Sequence, residues 1–221
     1  MDKNIPLPDA FSASESGRAE RRDAAANRAR ILETAERLFA DRGVSQVSMA
    51  DVAQAAQVGK GTLYRNFANK GELCLSLMDA QLQAFQDEQL SQMRTMSLEQ
   101  VSYLQQLGHF LQALVSFTER HMPLLYAAQK HSDALDEGEM QRPHFWQHMT
   151  VHGLLRQAVA AGELPDDLDV PYTTEALLAP LSPQTFRFQR EALEFDLERI
   201  ASGLRQLLAG LGCLASSGDG D

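Results

Sequence analysis

The stretch from Ser48 to Leu73, SMADVAQAAQVGKGTLYRNFANKGEL, constrains the fold of this chain more than any other segment. Ser48 followed by Asp51 has the pattern of a capping box that opens a helix, and apolar residues then recur at helical spacing. A turn around Gln57 separates this helix from a second, very short one over residues 59–67. The sequence therefore predicts two helices joined by a tight turn.

The second helix carries an unusual set of residues on its outer side. Leu63 and Phe67 are four residues apart and are predicted to face inward. The side chains left outside are small, hydroxylic, aromatic or basic, which suits contact with phosphate oxygens and base edges. The pattern indicates a helix-turn-helix that enters a DNA groove.

At these residues the chain resembles the DNA-binding domain of the TetR family of transcriptional regulators. The resemblance runs from Arg30 to Leu73 and rests on ILETAERLFADRG, VSMADVAQAA, VGKGTLYRNF and NKGEL. It implies an all-α fold, in which a three-helix, helix-turn-helix DNA-binding domain precedes a helical domain for ligand binding and dimerisation. One position departs from the family pattern, because Gln57 stands where glycine is usual, at a turn that favours a left-handed backbone.

The resemblance also implies which residues contact DNA. Tyr64 and Lys70 are expected to hold phosphates, with help from Lys60 and Ser48, and such contacts set the register of the protein on the duplex. Thr62, Arg65 and Asn66 are the candidates for groove contacts, which set the sequence. The full expected set is Ser48, Lys60, Gly61, Thr62, Tyr64, Arg65, Asn66 and Lys70.

Two other interpretations of the Gly-Lys-Gly-Thr run compete with DNA binding. A phosphate-binding loop of the Walker A type needs a strand before it and a glycine at position 54, where this chain has glutamine within a predicted helix. A purely structural helical hairpin stays open, because small residues also serve close helix packing. The charge pattern supports DNA binding: residues 1–70 carry 11 Lys+Arg and 9 Asp+Glu, whereas residues 71–221 carry 9 and 21.

Prolines, serines and a glycine without helical period indicate a disordered N-terminal arm. Arg18, Arg21, Arg22 and Arg28 of this region are candidates to reach phosphates or a minor groove, although a solvated tail is an equal alternative for the first three. The predicted domains are residues 1–25 (arm), 26–72 (DNA-binding domain), 73–212 (ligand-binding and dimerisation domain) and 213–221 (flexible tail).

No apolar run approaches the roughly 18 residues of a membrane span, and the N-terminus lacks a signal-peptide core. We therefore expect a cytoplasmic, nucleoid-associated protein with no membrane partner. Cys74 and Cys213 are far apart in a chain without secretory features, so packing or exposure is favoured over redox sensing. Beyond residue 97 the sequence predicts helices over 98–119, 121–132, 140–161, 172–188 and 194–211, with a break at Pro180 and Pro183.

The last predicted helix has a single apolar stripe. The resemblance implies that the last two helices of each subunit form a four-helix bundle with their mates in a homodimer, which would bind a pseudo-palindromic operator. Periodicity alone does not distinguish such a seam from a core within one chain. The expected dimer residues are Ile200, Leu204, Leu207, Leu208 and Leu211.

His144, His148 and His152 recur every four residues on the apolar side of their predicted helix, while Trp146 falls on the opposite side, where it can cover a neighbouring helix or subunit. Three interpretations stay open: hydrogen-bonded core histidines, polar lining of a ligand cavity, or a metal site. Zinc would need further ligands, and spacing identifies none, so no metal is predicted. The candidate ligand-binding set is Phe110, Phe117, Tyr126, His144, Phe145, His148 and His152.

These features predict a ligand-responsive DNA-binding transcriptional regulator, a repressor released from its operator by an unknown small-molecule effector. No nucleophile elbow, zincin motif, Rossmann glycine pattern or cysteine pair is present, so we expect neither catalysis nor a cofactor. Two alternatives remain. A constitutive DNA-architectural protein would not need the acidic C-terminal part, and a helical enzyme would use the histidine row.

Overall fold

Helices form both compact units of the chain. The computed structural model describes the backbone of residues 12–131 and 141–216 and the side chains of residues 22–130 and 145–212. Within these residues all regular secondary structure is helical, which confirms the predicted all-α fold. The two units are Met1–Leu77 and Met78–Asp221. The division thus falls inside the fourth helix, slightly beyond the boundary predicted between residues 72 and 73. None of the described helices has the length and apolar character needed to cross a membrane.

The N-terminal unit contains α1 (Ser12–Arg42), α2 (Met49–Ala55), α3 (Lys60–Asn66) and the beginning of α4 (Lys70–Leu98), with a 3-10 turn at Val44–Gln46. Each element contributes apolar side chains to one small core, as the helical spacing of these residues predicts. Its buried members include Ile31, Ala35, Phe39, Val44, Val47, Val52, Leu63, Phe67 and Leu73.

Helix α1 is longer than predicted. It begins at Ser12, so the prediction of a disordered arm is wrong for residues 12–25, and residues 1–11 lie outside the described part. Alanine, glutamate and arginine predominate between residues 15 and 26, and these strong helix formers extend the helix toward the N-terminus. Gly43, with a φ of 81°, follows α1 and ends it, as a glycine just after the last turn of a helix predicts.

The C-terminal unit contains the rest of α4 together with α5 (Tyr103–His131), α6 (Gln141–Ala160), α7 (Val170–Leu178), α8 (Pro183–Glu191) and α9 (Leu197–Ser216). Helix α5 packs against α6, α8 and α9, and α6 also packs against α7. The core of the unit therefore surrounds α5. Its buried members include Met78, Phe85, Phe110, Leu114, Phe117, Val151, Leu155, Leu177, Phe186, Ile200 and Leu204.

Two predicted boundaries in this unit are wrong. The segments predicted over 98–119 and 121–132 form one helix, α5, which continues through Pro123. Phe117 and Leu125, on either side of the proline, are both buried, so packing of a shared face offsets the lost backbone hydrogen bond. Helix α9 reaches Ser216, so the first residues of the predicted flexible tail are helical.

The predicted break at Pro180 and Pro183 is confirmed. Helix α7 ends at Leu178, a 3-10 turn covers Ala179–Leu181, and α8 begins at Pro183. Proline suits the first position of a helix, because the N–H group that it lacks has no partner there in any case.

Glu163, in the loop after α6, caps the start of α5. Its carboxylate accepts hydrogen bonds from the backbone N–H groups of Tyr103 at 2.9 Å and Leu104 at 2.8 Å. The first N–H groups of a helix have no partner within it, and a negative charge is favourable at this end. This contact fixes the loop after α6 beside α5.

Candidate functional site

Helix α2 is held at its start by reciprocal hydrogen bonds between Ser48 and Asp51. Ser48 Oγ accepts from the Asp51 N–H at 3.2 Å, and Asp51 Oδ2 accepts from the Ser48 N–H at 2.8 Å and from the Ser48 hydroxyl at 2.6 Å. These hydrogen bonds lower the pKa of Asp51 below its usual value. The predicted capping box is confirmed, and the Ser48 hydroxyl already has partners in the free protein.

The turn after α2 is left-handed at Gln57, which has a φ of 54°. The Gln57 N–H donates to the Gln54 carbonyl at 3.1 Å, and the Val58 N–H donates to the Ala53 carbonyl at 3.0 Å. A non-glycine side chain in this conformation crowds its own backbone and costs about 1 kcal/mol. The turn therefore keeps a glycine-type geometry, and Gln57 bears the strain.

Replacing Gln57 with glycine should raise the free energy of unfolding by roughly 1 kcal/mol, since glycine adopts a positive φ without steric cost. Gln54→Gly is the matched control. Gln54 is also exposed but lies inside α2, where glycine costs about 0.5–1 kcal/mol. Urea unfolding should therefore give a higher free energy of unfolding for Gln57→Gly than for wild type, and a lower one for Gln54→Gly. A Gln57→Gly protein less stable than wild type would show that a side-chain contact outweighs the backbone strain.

Helix α3 leaves a row of side chains exposed. Lys60, Tyr64 and Arg65 are exposed, and Tyr64 presents 52% of its surface to solvent. The helix carries two positive charges and no acidic residue. A Cβ atom added at Gly61 would meet no other atom of the chain within 4 Å. Packing among the described residues therefore does not require a glycine there.

Thr62 and Asn66 are half-buried and have partners on α3 itself. Thr62 Oγ1 accepts from Arg65 Nη2 at 3.3 Å, and Asn66 Nδ2 donates to the Thr62 carbonyl at 2.8 Å. A base contact by the Asn66 amide nitrogen would require its hydrogen bond to open. Arg65 is the more accessible candidate for the groove.

Arg28 fixes the C-terminal end of α3. Its guanidinium donates to the Asn66 carbonyl at 2.9 Å and to Ser76 Oγ at 2.9 Å, and it lies 4.4 Å from the centre of the Phe67 ring. A positive charge at this end of a helix satisfies a free carbonyl and complements the helix dipole. Arg28 therefore holds α1, α3 and α4 together instead of extending toward DNA. Of the other arginines considered from the sequence, Arg22 is exposed, and the side chains of Arg18 and Arg21 lie outside the described residues.

Lys70 begins α4 directly after α3. Asn69 caps this helix by accepting from the Glu72 N–H at 2.9 Å, and the Glu72 carboxylate accepts from the Ala68 N–H. Lys70 Nζ lies 5.9 Å from the centre of the Phe39 ring. The cap thus fixes the start of α4 and, with it, the point from which the Lys70 side chain extends.

The segment that contains these helices matches a known protein family. Residues 31–77 match the family model for bacterial regulatory proteins of the tetR family. Residues 31–77 thus form a DNA-binding domain of the tetR type. The chain is 29% identical to an HTH-type transcriptional regulator of Staphylococcus aureus (strain bovine RF122 / ET3-1). The 178 matched residues cover 80% of this chain and 90% of that protein.

Solved structures show the same fold. FadR of Thermus thermophilus, a TetR-family transcriptional repressor in complex with lauroyl-CoA, matches with a TM-score of 0.63 and 20% identity, over 82% of this chain and 93% of that chain. FadR of Bacillus subtilis in complex with stearoyl-CoA matches with a TM-score of 0.60 and 19% identity, over 81% and 96%. At these identities the likeness concerns the fold alone.

The aromatic residues predicted for a ligand site separate into two places. Phe110 and Phe117 on α5 are buried, and their ring centres lie 6.3 Å and 4.6 Å from that of Phe85 on α4. Tyr126 instead lies against Arg187 of α8, whose guanidinium is 3.7 Å from the ring centre. The predicted set is therefore not one continuous lining.

Trp146 completes the buried aromatic group. Its ring centre lies 6.0 Å from that of Phe85 and 5.5 Å from that of Phe110, edge-on in both pairs. It thus covers neighbouring helices of its own chain. We name Phe85, Phe110, Phe117 and Trp146 the aromatic cluster. Phe85 was not predicted for this site, although its position on the apolar stripe of α4 was visible in the sequence.

The histidine row meets α7 instead of the aromatic cluster. His148 Nδ1 lies 2.9 Å from Glu175 Oε1 on α7, and the His152 ring stacks on that of His148 with centres 5.9 Å apart. The side chain of His144 lies outside the described residues, and Phe145 is 57% exposed. Among the side chains that are described, no three of the His, Cys, Asp and Glu type converge as a metal site would require. The row therefore connects α6 with α7.

His121 packs against the aromatic cluster, with its ring centre 4.5 Å from that of Phe117 and the two rings tilted by 41°. Burial, together with the charge of Arg120, lowers the pKa of His121 below its usual value. Because the folded protein disfavours the charged imidazole, stability should fall as the pH drops below about 6.5. His121→Gln should remove part of the decline in Tm between about pH 7 and pH 5. Identical pH profiles for the variant and the wild type would contradict this assignment.

Cys74 is buried, and burial raises its pKa to about 12. The thiol thus stays protonated, so Cys74 packs the core and does not act as a redox sensor. The side chain of Cys213 lies outside the described residues.

The residues predicted for a dimer seam lie on two faces of α9. Ile200, Leu204 and Leu208 are buried in the core of their own chain, where α9 packs against α5. Leu207 is 56% exposed and Leu211 is partly exposed. Most of the predicted stripe therefore serves the core of one chain, the alternative that periodicity left open.

Proposed function

We propose that the chain is a ligand-responsive repressor that binds a pseudo-palindromic DNA operator as a homodimer. A small molecule bound in the C-terminal unit releases it, and the protein acts in the cytoplasm at the nucleoid. The observation that carries this proposal is the exposed face of α3, where Lys60, Tyr64 and Arg65 accompany the open backbone at Gly61. Phosphate oxygens and base edges are the partners that such donors suit.

Within this interface, each side chain has a proposed role. Tyr64, Lys60 and Lys70 hold phosphates, and Arg65 reads a base edge. Ser48 assists at the start of α2, and Thr62 and Asn66 contribute to the groove after their hydrogen bonds within α3 rearrange. Phosphate contacts place the helix on the duplex, and the few base contacts select the operator.

A second copy of the chain is the proposed partner of α8 and α9. Phe188, Leu193 and Leu207 are exposed there, and an open groove beside them is lined in part by Phe195 and Leu207. Arg190 holds this region in place, because its guanidinium binds both carboxylate oxygens of Glu119 on α5 at 3.0 Å. A two-fold pairing would bury these apolar side chains and space two α3 helices for inverted half-sites.

The effector of this repressor is proposed to bind in the C-terminal unit. Two proteins of similar fold were solved with acyl-CoA molecules, which supports a small molecule with an apolar part as the ligand. A ligand can release DNA only if it binds the non-DNA-binding conformer better than the DNA-binding one. Operator release, followed by fluorescence anisotropy of labelled DNA during ligand titration, is therefore the direct test of responsiveness. A protein that binds DNA equally with every candidate ligand would contradict this part of the proposal.

Gly61→Ala separates DNA binding from folding. Alanine is favoured over glycine inside a helix by up to about 1 kcal/mol, so the variant should be slightly more stable than wild type. A methyl group on the surface that approaches DNA should nevertheless weaken operator binding by roughly tenfold, or about 1.4 kcal/mol. Gly153→Ala on α6 is the matched control, because its added Cβ also meets no atom within 4 Å. Unchanged operator affinity in Gly61→Ala would remove this position from the interface.

A further inference from the structure

Gln89 is a buried polar residue within the apolar stripe of α4. The stripe consists of Met78, Leu82, Phe85, Gln89 and Met93, three or four residues apart. Gln89 is 3% exposed, and its Oε1 atom has no hydrogen-bond partner among the residues that the structure describes. A buried carbonyl without a donor has lost water without compensation, so it destabilises the free protein.

Gln106 on α5 is a buried glutamine whose amide oxygen and nitrogen both have hydrogen-bond partners. It is also 3% exposed, but its Nε2 donates to the Val101 carbonyl at 2.9 Å, and its Oε1 accepts from the Ser97 hydroxyl at 3.5 Å. Buried polar groups are normally paired in this way, so an unpaired one needs a specific explanation. Gln89 and Gln106 thus form a matched pair with equal burial and different hydrogen bonding.

Gln89 has an aromatic neighbour on its own helix. Phe85 precedes it by one helical turn on the same face of α4, and side chains at this spacing are neighbours. Phe85 in turn contacts the rest of the aromatic cluster on α5 and α6. Apolar and aromatic walls with one well-placed polar group are the usual composition of a small-molecule site.

We propose that Gln89 Oε1 accepts a hydrogen bond from the effector, and that the effector is an apolar molecule with a hydroxyl or N–H donor whose body packs against the aromatic cluster. This inference rests on the ligand-responsive function proposed above. The ligand supplies the donor that the free protein lacks, so it favours the conformer in which Gln89 is paired. A polyanion such as a CoA thioester fits less well, because residues 71–221 carry 21 acidic and 9 basic side chains.

Thermal unfolding of two leucine variants tests the unpaired state of Gln89. Gln89→Leu removes an unpaired carbonyl and should leave Tm equal to that of the wild type or raise it. Gln106→Leu leaves the Val101 carbonyl and the Ser97 hydroxyl without their partner and should lower Tm by several degrees. Equal losses in the two variants would overturn the inference, because Gln89 would then be a structural residue like Gln106.

The fluorescence of Trp146, the one tryptophan of the sequence, reports ligand binding, because Trp146 lies in the aromatic cluster. It is used to compare ligands of different chemistry. The probes are para-hexylphenol, para-hexylanisole, which has the same apolar body without the donor, and lauroyl-CoA. Wild type should bind the phenol roughly tenfold more tightly than the anisole, and lauroyl-CoA more weakly than the phenol. In Gln89→Leu the preference for the phenol should fall to about one.

The inference would be overturned by equal affinity of wild type for the phenol and the anisole, by a phenol preference retained in Gln89→Leu, or by tighter binding of lauroyl-CoA than of the phenol. An unchanged Trp146 signal with all probes would do the same. Operator binding is measured separately by anisotropy with labelled DNA. If the protein binds DNA but shows no preference for the phenol, only the inference about Gln89 is contradicted. If it prefers the phenol but does not bind DNA, only the proposed repressor function is contradicted.

Discussion

Leu207→Glu is expected to separate the subunits and lower operator affinity by roughly a hundredfold or more, since a dimer gains that much from binding two half-sites at once. Leu207 is 56% exposed in the single chain, so the charge should cost the monomer little. At a two-fold seam of α8 and α9, the substitution would place a carboxylate from each subunit in an apolar contact. Sedimentation equilibrium and DNA anisotropy on the same samples measure the two effects.

Leu98→Glu is the matched control for this prediction. Leu98 is an 86% exposed leucine on α4, outside α8 and α9, and its replacement should change neither assembly nor DNA affinity. Leu204 and Leu208 are unsuitable positions, because both are buried and a charge there would unfold the chain. A Leu207→Glu protein that remains a dimer would place the subunit contact elsewhere.

The double substitution Lys60→Ala and Lys70→Ala is expected to weaken binding to every DNA sequence alike. Each lost phosphate contact should reduce the slope of log affinity against log salt concentration by about 0.9, and a dimer loses each contact twice. Arg65→Ala should behave differently, with a loss of about 1–3 kcal/mol and a relaxed preference at one base position of each half-site. Salt titration and selection from random DNA distinguish the two patterns.

A different result would contradict each of these two assignments. An unchanged salt slope in the lysine double variant would remove Lys60 and Lys70 from the phosphate contacts. An Arg65→Ala protein that selects the same motif as wild type would remove Arg65 from base recognition.

Much of the N-terminal unit could be predicted because its signals are local in sequence. The Ser48–Asp51 cap, the end of α1 at Gly43 and the inward placement of Leu63 and Phe67 depend on neighbours within a few residues. Arg28 was misassigned for the opposite reason. Its partners on α3 and α4 are distant in sequence, so a basic residue near the N-terminus resembled a DNA contact.

The C-terminal unit was less predictable, because periodicity shows which side chains are apolar but not which helix covers them. The stripe on α9 illustrates this, since Leu204 faces the core of its own chain and Leu207 does not. Helix α6 packs on two sides, so both Trp146 and His148 meet neighbouring helices. Gln89 could have been noticed as a polar residue in an apolar stripe, but its missing partner is visible only in the structure.

Selection of DNA fragments from a random pool by the purified wild-type protein tests the central claim most directly. If the chain is a dimeric repressor that reads DNA through the exposed face of α3, the selected fragments should share one motif arranged as an inverted repeat. The two half-sites should lie about one helical turn apart, or a multiple of it, so that both α3 helices meet the same side of the duplex. Retention of DNA without any common motif, or of a single unrepeated half-site, would contradict the account.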